Sequence, residues 1–234
     1  MRVCQDSGVS TRPYGGVAAA DRRAERRAAL LDAALDLLGT EGLRATTLRA
    51  VCARAGLNQR YFYESFADLD ALLAAVYDGI AAESAQAATR AILAAGPDAD
   101  LRAVVRAGAE AVLELGGADP RKARIVLVEA PSSPVLRARS KAAQREWAEL
   151  VARYARDRFG VPEGSDALIG FTAVMLVSGW TGALTAWLDG DIRASAAELA
   201  AMFADAAHTA AEAAAQGTSV RGSERKPATT DEPL

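Results

Sequence analysis

The chain has 234 residues, enough for one or two domains with a real core. Hydrophobic residues make up 51%, charged residues 24% and aromatic residues 6%, an ordinary globular balance with alanine abundant throughout. The formal net charge of −3 excludes a protein that grips nucleic acid over its whole surface; what is left is a local basic face on an acidic body, or no nucleic-acid role.

Residues 1–20 show no periodicity and are predicted to be a disordered tail. An amphipathic helix follows, with Leu30, Leu31, Ala34, Leu35 and Leu38 at helical spacing and Gly42 beyond its end. Leu48, Val51, Cys52 and Ala55 mark a short second helix. Leu69, Leu72, Leu73, Val76, Tyr77 and Ile80 open a long one that stops before Gly96-Pro97. Leu101, Val104, Val105, Val112 and Leu113 mark the next, closed by Gly116-Gly117. Ile125–Val128 is apolar on all sides and is predicted to be buried. Leu136, Ala143, Trp147, Leu150, Val151 and Tyr154 form another stripe, stopped by Gly160 and Pro162. From Ala167 to Leu188 there is no charged residue. A last helix carries Leu199, Met202, Phe203, Ala206, Ala210 and Ala213, and after Gly217 a second polar tail, 217–234, is predicted. No strand pattern competes, and alanine is the best helix former. The fold class is therefore all-α, with about nine helices.

The uncharged stretch is about as long as the roughly 20 residues that span a bilayer. Glycines, serine and threonines dilute it, and its flanks carry Asp166, Asp189 and Asp191 instead of Lys or Arg clusters. A helix buried in the interior or in a dimer seam fits better than a membrane span. Cys4 and Cys52 do not make a disulfide framework, and a reducing cytoplasm is the expected compartment.

The segment Thr46–Leu73 carries the functional signal. Thr46 and Thr47 can cap a helix start, because a hydroxyl accepts from an otherwise unpaired backbone N–H. Gly56 permits a sharp left-handed turn. Leu57 plugs the gap between two short helices, and Asn58 is a good cap for the second. Two short helices joined by a glycine turn are a helix-turn-helix. In the second, Phe62 and Phe66 are four apart and anchor it to a core. Gln59, Arg60, Tyr61 and Tyr63 then point elsewhere, and they have the chemistry that major-groove reading needs: Arg for guanine, Gln for adenine, hydroxyls for phosphate.

This stretch resembles the TetR family of tetracycline-repressor-like regulators. Thr46, Thr47, Leu48, Arg49, Val51, Ala55, Gly56, Leu57, Phe62, Tyr63, Phe66 and Leu72 meet the family's pattern, and Asn58 stands for its usual Ser. Leu69 departs from it, where a phosphate-binding Lys is common, and so do Arg60 and Tyr61, where small residues are common. The resemblance implies an N-terminal three-helix DNA-binding domain at 21–67 and a helical effector-binding and dimerisation domain at 68–216. It implies a ligand-responsive regulator, in its usual form a repressor, that binds a pseudo-palindromic double-stranded DNA operator as a homodimer through its last two long helices. Thr46, Thr47, Arg44, Asn58, Gln59, Arg60, Tyr61 and Tyr63 are then the DNA-contacting set. Glu64 would accept from a cytosine amino group or sit on the rim.

Arg22, Arg23, Arg26 and Arg27 open the first helix, where cations oppose the helix dipole. They fit either phosphate contacts flanking the reading helix or a solvated helical end. A small-molecule effector pocket is implied among the middle helices, and Tyr77, Trp147, Tyr154, Phe171 and Met175 are large residues assigned to inward faces there, as core or as ligand contacts. Glu129 ends an apolar run and wants a partner if buried, either an effector cation or a neighbouring Arg. His208 lies opposite the last helix's apolar stripe, where solvent is expected. No metal cluster, phosphate loop, cofactor motif or catalytic constellation is visible. The other readings are a helical adaptor that keeps the helix-turn-helix as scaffold, a helical enzyme, and a membrane protein.

Overall fold

The computed structural model describes residues 14–159 and 166–223. Among them are nine α-helices and no strand: α1 Tyr14–Thr40, α2 Leu48–Arg54, α3 Gln59–Tyr63, α4 Leu69–Ala95, α5 Leu101–Ala118, α6 Pro120–Arg124, α7 Pro134–Phe159, α8 Asp166–Leu188 and α9 Ala196–Ser223. A π-helical turn at Ile125–Glu129 and a 3-10 turn at Ala130–Ser132 join α6 to α7. The all-α class holds.

Both predicted tails are shorter than expected. α1 begins at Tyr14 and α9 continues to Ser223. Extending an existing helix costs far less than nucleating one, so weakly helical flanks such as Val17–Ala20 are carried along. The chain forms two compact units, one up to Leu73 and one from Ala74 on. The division falls inside α4 instead of before it, so Leu72 and Leu73, both buried, belong with the first unit.

In the first unit, α1 buries Leu30, Ala33, Ala34, Leu37 and Leu38 against α2 and α3, which contribute Val51, Cys52 and Phe62. Leu31 and Leu35 lie half-exposed beside this stripe. Arg54 at the end of α2 is held to α1 by Asp36 and, at 2.6 Å, by Glu41 just beyond it. Their carboxylates push its guanidinium pKa further above its ordinary value.

In the second unit, α5 packs along α9 and α7 along α8. Val104, Ala109, Ile125, Leu136, Leu199, Ala200, Ala204 and Ala207 are buried. Alanines on α9 let helices approach closely, as small side chains do at any tight seam. Partly exposed ion pairs join elements at the periphery: Lys122 with Glu83 at 2.6 Å, Arg139 with Asp78, and Arg102 with Asp205 at 3.2 Å. The π turn rotates its apolar run unevenly. Ile125 is fully buried, but Val128 is 53% exposed, against the expectation that the whole run is covered.

α8 is long and apolar enough to cross a membrane by length and composition. One face packs on α7, where Ile169 and Ala173 meet Ala148 and Ala152. Its opposite face carries Phe171, Val174 and Met175 in the open.

Candidate functional site

The helix-turn-helix is built from its caps. Thr47 has extended backbone and its hydroxyl accepts from the Ala50 N–H at 3.2 Å, which starts α2. α2 ends in a two-bond cap: the Gly56 N–H donates to Ala53 O at 3.2 Å and the Leu57 N–H to Cys52 O at 2.9 Å. Gly56 adopts φ +65, in the left-handed region. No atom would meet a β-carbon there, so the glycine is required by backbone conformation and not by space. Gly56→Ala is expected to destabilise the domain by about 1 kcal/mol, the cost of a left-handed non-glycine residue, measurable by urea unfolding. An unchanged midpoint would refute that account.

Asn58 then starts α3, its side-chain oxygen accepting from the Tyr61 N–H at 3.2 Å. Phe62 is fully buried and Phe66 nearly so, their rings 5.9 Å apart. This fixes the rotation of α3. Gln59 and Arg60 stand in solvent, the Arg60 side chain 83% exposed, Tyr63 is 60% exposed, and Tyr61 is half-buried. Arg44 and Thr47 are also exposed.

Thr46 does not join this surface. It is buried, and its hydroxyl donates to Gly42 O at 2.9 Å, so it ties the α1–α2 turn and has no free face. The two threonines divide the work: the first braces the loop and the second caps the helix.

The arginines of α1 make specific contacts within the first unit. Arg23 donates to Glu64 O at 2.6 Å. The Arg26 guanidinium lies 4.5 Å from the Tyr61 ring centroid and 3.4 Å from a Glu64 carboxylate oxygen. Arg27 sits over the Phe66 ring at 4.9 Å. Three of the four therefore brace α3 and the turn after it through charge and cation–π contact. Arg22 is exposed, with no partner among the described residues. Glu64 is not directed away from the protein: its carboxylate bridges Arg26 and Arg60, the latter at 3.3 Å. At position 69, Leu opens α4, which Asp68 caps by accepting from the Ala71 N–H at 2.7 Å.

The second unit holds a partly open cavity of about 740 Å³, within the range of pockets that hold drug-sized molecules. Tyr77, Trp147 and Tyr154 line it. Burial pushes the Tyr77 phenol up, and a hydrogen bond with Ser140 opposes that. Phe171 and Met175 do not line it. They are 66% and 46% exposed on the far side of α8, because α7 covers the Ile169–Ala173 face instead. An all-apolar helix has no polar face to reveal its rotation, so the sequence assigned the wrong side. Glu129 is also outside the lining. It is buried and pairs with Arg124 at 3.4 Å, the neighbouring-Arg alternative.

Sequence reasoning missed other lining residues. His208 lines the cavity and contacts Glu212 at 3.1 Å. Trp180 stacks on Phe203 with ring centroids 4.5 Å apart. The i, i+4 spacing of His208 and Glu212 on α9 and the place of Trp180 in the uncharged stretch were the only signals available. Among the described residues no three His, Cys, Asp or Glu side chains converge as metal ligands do.

The sequence profile of bacterial regulatory proteins, tetR family, matches residues 30–76. That is the segment running from the buried part of α1 into α4. No curated protein matches the sequence. Solved structures do share the fold. A TetR-like transcriptional regulator from Rhodococcus sp. RHA1 is 21% identical, with a TM-score of 0.56 over 76% of this chain and 93% of its own. The transcriptional regulator FadR from Bacillus subtilis, solved with stearoyl-CoA, is 14% identical, with a TM-score of 0.61 over 77% and 96%. A TetR family transcription regulator from Marinobacter aquaeolei VT8 is 20% identical, with a TM-score of 0.52 over 82% and 97%. The capped helix-turn-helix at residues 30–76 thus matches the tetR family of bacterial regulatory proteins, and the helical fold is shared with solved structures over most of this chain's length.

Proposed function

We propose that the protein is a ligand-responsive repressor that binds a pseudo-palindromic operator as a homodimer. The observation that carries this is α3: a helix capped by Asn58 and anchored by Phe62, with Gln59, Arg60 and Tyr63 left in solvent. Gln59, Arg60 and Tyr61 would face bases. Arg44, Thr47, Asn58, Tyr63 and Arg22 would face phosphates. Two such helices, one per protomer, would enter successive major grooves about 34–36 Å apart.

The dimer seam would be the bare faces of α8 and α9, where Phe171, Val174, Met175 and Met202 are exposed. Exposed apolar residues clustered on neighbouring helices mark interaction surfaces. The effector would occupy the cavity of the second unit and bind better to a conformation that misfits the operator. By linkage, DNA and effector would then weaken each other's binding.

The test is fluorescence anisotropy with DNA flanking the protein's own gene, at several salt concentrations, against random DNA. Specific binding at two protomers per site is expected, weakening as salt rises. Arg60→Ala is expected to lose about 1–3 kcal/mol of specific binding and to relax discrimination at one base pair. Equal affinity for random DNA would defeat the regulator reading, and undiminished discrimination in Arg60→Ala would defeat the assignment of the reading residue.

A further inference from the structure

We infer that the cavity of the second unit selects lipophilic cations and rejects lipophilic anions; this rests on the proposal that the cavity is the effector site. The charges around it decide the matter. Its lining includes two carboxylates, Asp100 and Glu212, and, among the described residues, no Lys or Arg. His208, the remaining titratable base there, contacts Glu212 at 3.1 Å. Protonated or neutral, it leaves the lining net negative.

The rest of the wall is apolar or aromatic. Trp147, Trp180, Tyr154 and Phe203 present ring surface, and the negative face of a ring attracts a cation. A carboxylate or phosphate moved into such a space would lose its water and gain no cationic partner, which is the expensive case. A cation loses water too, but recovers attraction from ring faces and from two carboxylates. The carboxylates are not deeply buried. Asp100 is exposed and Glu212 is 60% exposed at the side chain. They act at the rim, where they attract a cation and repel an anion alike, so most of the discrimination by charge comes from them.

The ligand class is then an organic monocation with a bulky apolar body, of a size set by about 740 Å³. An acyl chain ending in an anionic head group does not fit this electrostatic pattern, even though it would fit the apolar interior.

Tetraphenylphosphonium and tetraphenylborate test the rule directly, because they share shape and differ in sign. Trp147 and Trp180 line the cavity, so quenching of the full-length protein's intrinsic fluorescence reports occupancy. Tetraphenylphosphonium is expected to bind saturably, one per protomer, at least tenfold tighter than tetraphenylborate. Triphenylphosphine oxide, uncharged, should fall between them. In the double variant Asp100→Asn, Glu212→Gln the gap should shrink to threefold or less. Asn caps a helix as well as Asp does, so α5 keeps its start, which circular dichroism would verify.

Borate binding as tight as phosphonium, a gap that survives in the double variant, or no binding by the cation would each overturn the inference. DNA binding is measured in parallel. Specific operator binding with the wrong charge preference would sink the ligand class alone. Cation binding in a protein that ignores operator DNA would sink the regulator reading alone.

Discussion

Phe171→Asp combined with Met175→Asp is expected to dissociate the proposed homodimer and to abolish tight operator binding. Both side chains are exposed on the face of α8 that α7 leaves bare, at 66% and 46%. In a two-fold interface each substitution acts twice, and the new carboxylates would be desolvated without partners. Truncating one anchor at an interface costs on the order of 2–4 kcal/mol. Four buried charges should therefore weaken association by roughly a thousandfold or more. Sedimentation equilibrium at micromolar concentration would show a dimer for the parent and a monomer for the variant. Operator affinity would fall with it, because one reading helix loses the gain from linking two half-sites. A variant that remains dimeric would place the seam elsewhere. The same experiment separates the seam from a membrane role for α8. Were that face made for lipid, the charges would change detergent dependence and leave the oligomeric state alone.

The two units differ in how far they could be read from sequence, and the reason is local against non-local determination. Thr47, Gly56 and Asn58 act within three residues of themselves, through caps and one left-handed turn. Their roles follow from residue type and spacing, and so did the rotation of α3 once Phe62 and Phe66 were seen to be four apart. Thr46 was misjudged because its neighbour has the same side chain, and only the fold says which hydroxyl turns inward. The contacts of the α1 arginines were not legible for a different reason. Their partners, Glu64, Tyr61 and Phe66, lie far along the chain, and no short-range rule pairs them. The cavity was the least legible part. The lining of α8 depends on which side α7 covers, and an all-apolar helix carries no mark of that choice. His208 was assigned to solvent because it lay off the apolar stripe of α9. That rule describes a helix over a solid core, and here the helix borders a void.

Phe62→Ala is expected to separate the unfolding of the two units. Phe62 is fully buried, contacts Phe66 and Tyr63 with ring centroids 5.9 and 5.5 Å away, and is the largest fully buried side chain among the described residues. Truncating a buried phenylalanine costs about 3–5 kcal/mol, the lost transfer free energy plus the void it leaves. A domain's whole stability is only about 5–15 kcal/mol, so a small three-helix unit is brought close to its limit. The second unit has its own core and should be little affected. The three tryptophans, Trp147, Trp180 and Trp187, all lie in the second unit, so fluorescence follows that unit alone. Circular dichroism at 222 nm follows the helices of both. In the variant the ellipticity should therefore begin to fall well before the tryptophan signal changes. Specific operator binding should disappear over the earlier step while tetraphenylphosphonium binding persists through it. Coincident transitions by both probes would mean that α4, which runs through the boundary at Leu73, makes the chain unfold as one cooperative body. In that case the damage at α3 would be shared by the cavity, and cation binding would be lost at the same temperature as DNA binding.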